Sequence, residues 1–154
     1  MENTYMRKAL KRVLLPALQA RGYTGSAADL RRASDDSLDL LAIQFGKYGG
    51  QFILEFARRE RGPLHASWGE VIPEEKLTVA HVMVTRRARL QQVDAPPDDT
   101  FRGFRFAGFG DDRARYDALA LHVAALLPQV DAWLERGSVG EHVFPLGGVR
   151  PAPV

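Results

Sequence analysis

Apolar residues recur at steps of three and four near the start of the chain, which is the spacing of a helix face that packs on a core. This pattern predicts a helix over residues 5–21, capped by Asn3 or Thr4. Pro16 lies late in the pattern and is expected to kink or restart the helix. Gly22 is expected to end it, because glycine readily adopts the left-handed conformation.

A second helical pattern extends from a cap at Asp111 or Asp112 to Gly137 and is the strongest in the chain. Pro128 should divide it into a long helix and a short final turn. A proline ring clashes with the preceding turn but suits a first helical position. The apolar face of this helix is expected to lie along a sheet.

Between the helices, the pattern changes to β-branched, aromatic and leucine residues with strand-like alternation. Residues 37–45 and 51–58 predict a hairpin around a glycine-rich turn, and a strand at 28–33 should pair with it. Two further strands are predicted at 79–86 and 101–109. The proline-rich loop between them is too short for a crossover helix, so the sheet should be mostly antiparallel.

These elements predict one α+β domain over residues 1–137, in which about five mostly antiparallel strands are flanked by an N-terminal and a long C-terminal helix. Residues 59–78 lack periodicity and are expected to conceal a strand. Residues 138–154 contain glycines and prolines and are expected to form a tail that packs on this domain or on a partner.

If helices cover only one face of the sheet, the other face needs a covering surface. Leu38, Leu40 and Phe52 are expected on that free face. A homodimer or another bound protein would cover them, and the homodimer is the simplest partner.

Composition narrows the class of protein. The 154 residues suit one domain, and 45% hydrophobic with 26% charged residues is ordinary for a globular protein. The absence of cysteine excludes disulfides, thiolate zinc sites and a cysteine nucleophile. The first basic residues precede an apolar run too short for a signal peptide or membrane span, so a cytoplasmic location without membrane contact is expected.

No catalytic, cofactor or metal motif is visible. The acidic doublets lack the spacing of a calcium or magnesium loop, and the four histidines are not at ligand spacing. His122 is expected on the polar side of the last helix and His81 within a strand, both as ordinary structural positions. An enzyme is therefore the least favoured class, and no cofactor is expected.

Arginines provide the first candidate surface. They cluster near predicted strand ends, as Arg31 with Arg32, Arg58 with Arg59 and Arg61, and Arg86 with Arg87 and Arg89. In an antiparallel sheet, these ends could converge on one edge and bind phosphate or carboxylate groups. The alternative is separate solvated tips, each neutralised by acidic residues such as Glu55 and Glu60.

Residues 102–109 provide the second candidate surface. Most of their positions match the aromatic strand with which RNA-recognition motifs stack on bases. Arg102, Phe104 and Arg105 would then contact nucleic acid. The alternative is a strand that buries Phe104 and Phe106 while the arginines face water, and the missing crossover helix favours this alternative.

Several segments together resemble a known family. They are LLPALQARGY at 14–23, the basic strand at Arg31-Arg32, IQF at 43–45 and LPQVDAWLE at 127–135. These segments resemble the bacterial domain of unknown function 4304 family, over roughly residues 6–136. The resemblance implies a bacterial α+β protein and no catalytic residue. The chain departs from the family at Tyr23, where the family usually has phenylalanine, and is not clearly matched between Arg59 and Val79.

The predicted function is a non-enzymatic protein-interaction or ligand-binding module. One alternative is a nucleic-acid-binding protein that uses the arginine clusters and residues 102–109. A formal charge of +2 permits this function without requiring it. The other alternative is an immunity or antitoxin protein, which fits the size, although mild basicity does not suit neutralisation of a basic nuclease.

Overall fold

The computed structural model describes residues 1–147 and confirms the α+β class. The helices are α1 (Glu2–Ala9), a π-helical stretch (Leu10–Leu14), α2 (Leu15–Ala20), α3 (Arg113–Ala125) and α4 (Leu127–Arg136). The strands are β1 (Thr24–Ser26), β2 (Asp29–Ala33), β3 (Ser37–Phe45), β4 (Gln51–Glu60), β5 (Leu64–His65), β6 (Val71–Ile72), β7 (Arg87–Leu90), β8 (Phe104–Arg105) and β9 (Val143–Pro145). No helix within these residues combines the length and apolarity needed to cross a bilayer.

The N-terminal helical region restarts at Pro16, as the sequence predicts. Pro16 lies in the first turn of α2, and it has no N–H with which to continue the α-helical ladder. The preceding turn widens into the π-helical stretch, in which the Leu15 N–H bonds to the Leu10 carbonyl five residues earlier. The helix ends before Gly22, which has a φ of 97°.

The main sheet is antiparallel at every pairing and has the order β1-β2-β3-β4-β7-β9, with β8 on the other half of β4. The predicted β3–β4 hairpin and the pairing of β2 with β3 are confirmed. The sheet has seven strands, against the predicted five or so, because short strands add to it. Residues 59–78 do contain strands, β5 and β6, which form a separate hairpin.

One predicted strand, at 79–86, is wrong, and another, at 101–109, is much shorter in the structure than predicted. Residues 79–86 form two 3₁₀ turns, Val79–His81 and Val84–Arg86, and β7 begins only at Arg87. His81 therefore lies in a turn, where its Nδ1 accepts the Thr78 N–H at 2.9 Å. The predicted strand at 101–109 shrinks to β8.

The C-terminal helix follows the prediction except in the length of its last part. α3 begins directly after Asp112, Pro128 lies in the first turn of α4, and Gly137 ends α4 with a φ of 69°. α4 has 10 residues, Pro128 among them, and is a full helix, longer than the predicted turn. β9 then pairs with β7, so this part of the tail packs on its own domain, while residues 148–154 lie outside the described residues.

Each face of the sheet carries its own core, which corrects the prediction of a free face. Helices cover one side, and Phe52 is buried there. On the opposite side, Leu38 and Leu40 are buried against Leu77, Val79 and Val82 of the same chain. Leu38, Leu40 and Phe52 thus require no partner, and the homodimer stays a prediction.

Glu74 anchors the segment that packs on Leu38 and Leu40, on the face of the sheet opposite the helices, which we call the outer face. Its carboxylate accepts hydrogen bonds from the Arg61 Nε and Nη2 at 3.0 and 2.9 Å and from the Gly62 N–H. The Arg61 bond, followed by the Gly62 bond, lowers the pKa of Glu74 from 4.5 to about 2. Because the folded pKa is depressed, the stabilisation is present above pH 4.5 and is lost as the pH falls towards 2.

We expect the Gly62 amide resonance to report this protonation in an acid titration followed by NMR. Its midpoint should lie near pH 2, well below the ordinary 4.5. Glu74→Gln should abolish the step, whereas Glu75→Gln, at the exposed neighbouring position, should leave it in place. A midpoint near the ordinary value would show that the carboxylate does not hold Gly62 in solution.

Candidate functional site

The predicted arginines do not share one edge, because neighbouring residues of a strand point to opposite faces. Arg32 and Arg58 lie on the helix-covered face, where the pairing register places them on either side of Asp39. Arg31 and Arg87 lie on the outer face, opposite Leu40 and Ala57. The sheet thus separates Arg31 from Arg32 and Arg58 from Arg59, whereas Arg86 lies in the turn before β7.

The outer-face arginines are engaged within the chain. Arg31 donates to the carbonyls of Glu74 and Leu77, and Arg87 donates to those of Ala80 and Val82. Glu55 pairs with Arg89 at 2.8 Å and with Arg87 at 3.5 Å. Arg59 is 5% exposed and bonds to Glu60 and the carbonyl of Gly62. These contacts hold the segment from 61 to 86 on the sheet.

The second candidate surface lies elsewhere and does not present its aromatic rings. Phe104 and Phe106 are fully buried, so neither ring offers a face to a base. Arg105 pairs with Asp99 at 2.9 Å, and the Arg102 Nη2 donates to the Val93 carbonyl at 3.3 Å. Arg102 also has a φ of 57°, which interrupts the extended backbone, and β8 begins only at Phe104.

Asp39 organises the two helix-face arginines. It is only 2% exposed, and its Oδ2 accepts bonds from the Arg32 Nε and Nη2 at 3.0 and 2.9 Å. The Arg58 Nε donates to Oδ1 at 2.7 Å and its Nη2 to Oδ2 at 3.1 Å. This fork raises the pKa of the Arg58 guanidinium and fixes its plane.

Further residues support Arg32 from the helix side. Its Nη2 lies 3.0 Å from the Asp131 Oδ1, and Asp131 also pairs with Arg21. The Arg32 guanidinium lies 4.6 Å from the centroid of the Tyr23 ring. Burial raises the pKa of the Tyr23 phenol, whose hydroxyl has no hydrogen-bond partner within residues 1–147. Tyr23 is therefore a neutral support for the guanidinium.

Arg58 and Arg86 meet at a cavity of about 300 Å³ between α4 and the end of the sheet. We call it the arginine–tryptophan cavity, after Arg58, Arg86 and Trp133, which line it together with Thr85 and Pro145. Trp133 is held edge-to-face on Phe56, with ring centroids 5.6 Å apart. The turn at Gly137 lets the chain reverse after α4, so that β9 returns to form the opposite wall.

The electrostatics of the cavity favour an anion. The Arg86 Nη2 donates to the Arg58 carbonyl at 3.4 Å, and its Nη1 lies 4.0 Å from Glu60. The Arg58 Nη1 has no hydrogen-bond partner within the described chain. The surrounding ion pairs leave an excess of positive charge, because four carboxylates face six guanidinium groups. They are Asp39, Asp131, Glu60 and Glu135 against Arg21, Arg32, Arg58, Arg59, Arg86 and Arg136.

The described residues that line the cavity include no carboxylate and no histidine. Thr85 is therefore a hydroxyl without an adjacent general base in this lining. Two guanidinium groups beside an indole can instead bind an oxyanion attached to an apolar body. The arrangement fits binding better than proton transfer.

Sequence reasoning missed the residues that complete this site. Asp39 is a single carboxylate within the apolar run of β3, and such a position signals a buried partner. Trp133 carries no comparable signal, since its spacing is that of a core-facing helix residue.

His122 and His142 also come together, with ring centroids 5.9 Å apart. Across residues 1–147, no group of three or more histidine, aspartate or glutamate side chains is placed to hold a metal ion.

Comparison with known proteins finds no matching family model, no matching curated protein and no matching solved structure. The resemblance to a bacterial family described above therefore stays a prediction.

Proposed function

We propose that this protein is a non-enzymatic ligand-binding module whose arginine–tryptophan cavity binds a small molecule with an oxyanion on a flat apolar body. One observation carries the proposal: Arg58 is held by Asp39 beside Trp133, and Arg86 completes the same cavity. Its volume of about 300 Å³ lies at the lower end of the range for small-molecule sites.

Preorganisation supports this function. A guanidinium whose plane is already fixed loses little conformational entropy when an oxyanion binds. Carboxylate and phosphate both match the guanidinium donors, so the two head groups are distinguished by experiment. The indole adds an apolar wall for a ring or an alkyl body.

The nucleic-acid alternative has less support. Its stacking residue Phe104 is buried, and Arg105 lies apart from the cavity in an ion pair with Asp99. Arg105 therefore provides a matched control, because it is a partly exposed, ion-paired arginine like Arg86. The immunity or antitoxin alternative depends on size alone.

We expect benzoate or phenyl phosphate to shift the Trp133 indole N–H resonance, whereas uncharged benzamide should bind much more weakly. Measurement in a Trp68→Phe background leaves one indole signal, since Trp68 and Trp133 are the two tryptophans. Arg86→Gln should weaken binding about fivefold, because one charged hydrogen-bond donor is lost. The head group with the lower Kd identifies the preferred oxyanion.

Arg105→Gln should leave the Kd of benzoate unchanged. Equal losses in Arg86→Gln and Arg105→Gln would show general electrostatic attraction and contradict a defined site. Failure of both anions to shift the Trp133 signal would also overturn the proposal.

A further inference from the structure

A second cavity lies at the opposite end of β3 and is chemically different. It has a volume of about 330 Å³ and separates the N-terminal helical region from the β1–β2 turn. We call it the helix–turn cleft. Asp39, which holds Arg58, and Phe45 are six residue steps apart along β3, so the two sites lie roughly 20 Å apart along the strand.

Aliphatic and aromatic side chains form the interior of the cleft. Leu10 and Leu15 contribute from the helix, and Ile43 and Phe45 contribute from β3. The turn adds only small residues, with Ala28 among them. Such a surface favours an unbranched hydrocarbon chain, because it offers apolar contact and few hydrogen-bonding groups.

Two cations lie at this apolar surface. Arg7 and Lys11 are one helical turn apart, and within residues 1–147 neither is paired with a carboxylate. The Arg7 guanidinium is stacked 4.0 Å from the centroid of the Phe45 ring. Stacking occupies the flat face of a guanidinium and leaves its N–H edge available to an anion.

The turn opposite the helix is held in place. Gly25 has a φ of 108°, and a Cβ at this position would lie 2.3 Å from the Asp29 carbonyl oxygen. The Ala27 carbonyl accepts the Ile43 N–H at 3.0 Å, which ties the turn to β3. The cleft therefore exists before a ligand binds.

We propose that the helix–turn cleft binds an unbranched aliphatic carboxylate, with the carboxylate between Arg7 and Lys11 and the chain along Leu15 and Ile43. Charge complementarity selects the anionic head, and the apolar lining selects the tail. A small molecule fits better than a second protein, because nine residues line the cleft, whereas a stable protein interface takes about 20–30 residues from each partner. This site is independent of the proposed function of the arginine–tryptophan cavity.

Octanoate, used below its micelle concentration, is the probe, and isothermal titration calorimetry measures its Kd. Lys11→Gln should raise the Kd about fivefold. Lys8→Gln removes the same charge from a position of the same helical region that does not line the cleft, and it should leave the Kd unchanged. Ala28→Leu should reduce binding strongly by filling the cleft, and it replaces an exposed residue, so folding should be retained. Octanol and acetate should each bind weakly, because one lacks the charge and the other lacks the chain.

The proposal is overturned if octanoate shows no saturable binding, or if octanol binds as tightly as octanoate. Equal effects of Lys8→Gln and Lys11→Gln would also overturn it, because they would show unspecific attraction by the helix. Arg86→Gln should leave octanoate binding unchanged, and Lys11→Gln should leave benzoate binding unchanged. Failure at one cavity is therefore distinguishable from failure at the other.

Discussion

Asp39→Asn is expected to lower the free energy of unfolding by about 3 kcal/mol, as found when one partner of a buried ion pair is removed. Asp39 is 2% exposed and neutralises both Arg32 and Arg58. An asparagine in its place can accept fewer bonds and carries no charge, so two guanidinium groups would remain partly buried without their main counter-ion. Urea denaturation followed by circular dichroism measures the change.

Asp117→Asn is the matched control for this prediction. Asp117 also pairs with an arginine, Arg12, but both side chains are well exposed, at 38% and 55%. Exposed ion pairs contribute up to about 1 kcal/mol, so this variant should remain close to the wild-type protein. If the two variants lost the same stability, burial of Asp39 would add nothing, and its pairs with Arg32 and Arg58 would stabilise the fold no more than an exposed ion pair does.

The Asp39 variant also tests how the arginine–tryptophan cavity is organised. Without the fork from Asp39, the Arg58 side chain is free to adopt other rotamers, and ordering it on binding then costs conformational entropy. High salt screens the positive charge that the missing carboxylate leaves on Arg58. In high salt, benzoate affinity should therefore fall in Asp39→Asn under conditions in which the variant remains folded. An unchanged Kd would show that Arg86 and Trp133 are sufficient for binding.

The parts of the fold with strong periodicity were predictable from sequence. The β3–β4 hairpin combines alternating apolar residues with a glycine-rich turn, and the helices combine an apolar face with proline and glycine at their boundaries. The resulting α+β class follows from these elements alone. The short strands were harder to locate, since two or three residues carry no measurable period.

The wrong strand at 79–86 has a specific physical cause. Its valines suggest a strand, but Val79 and Val82 are the buried members of the run, three residues apart, as a turn requires. Met83 and Val84 are 69% and 54% exposed. Local bonds between Thr78 and His81 stabilise a turn, so the propensity of valine for strands is overridden.

The candidate site was only partly predictable because its residues come from distant segments. Arg58 and Arg86 were recognised as cations, but their meeting depends on the turns that precede β7. Trp133 joins them through the packing of α4 on the sheet, and Pro145 joins them through β9. Neither contact has a local sequence signal, whereas the lone Asp39 in an apolar strand does.

Phe104→Ala is expected to lower the free energy of unfolding by about 4 kcal/mol, since it would leave a large cavity in the core. Phe104 is fully buried, and its ring lies 5.5 Å from that of Phe52 and 6.2 Å from that of His122, measured between centroids. Its ring thus packs β8 against both β4 and α3. Tyr48→Ala removes an aromatic ring that is 93% exposed and should change stability by no more than about 0.5 kcal/mol.

This comparison also separates the two interpretations of residues 102–109. A base-stacking phenylalanine would be exposed, and its replacement would reduce nucleic-acid binding without a large loss of stability. A core phenylalanine instead lowers the midpoint of urea denaturation, whatever the protein binds. If Phe104→Ala were as stable as Tyr48→Ala, the ring would not be part of the core, and the nucleic-acid hypothesis would regain its stacking residue.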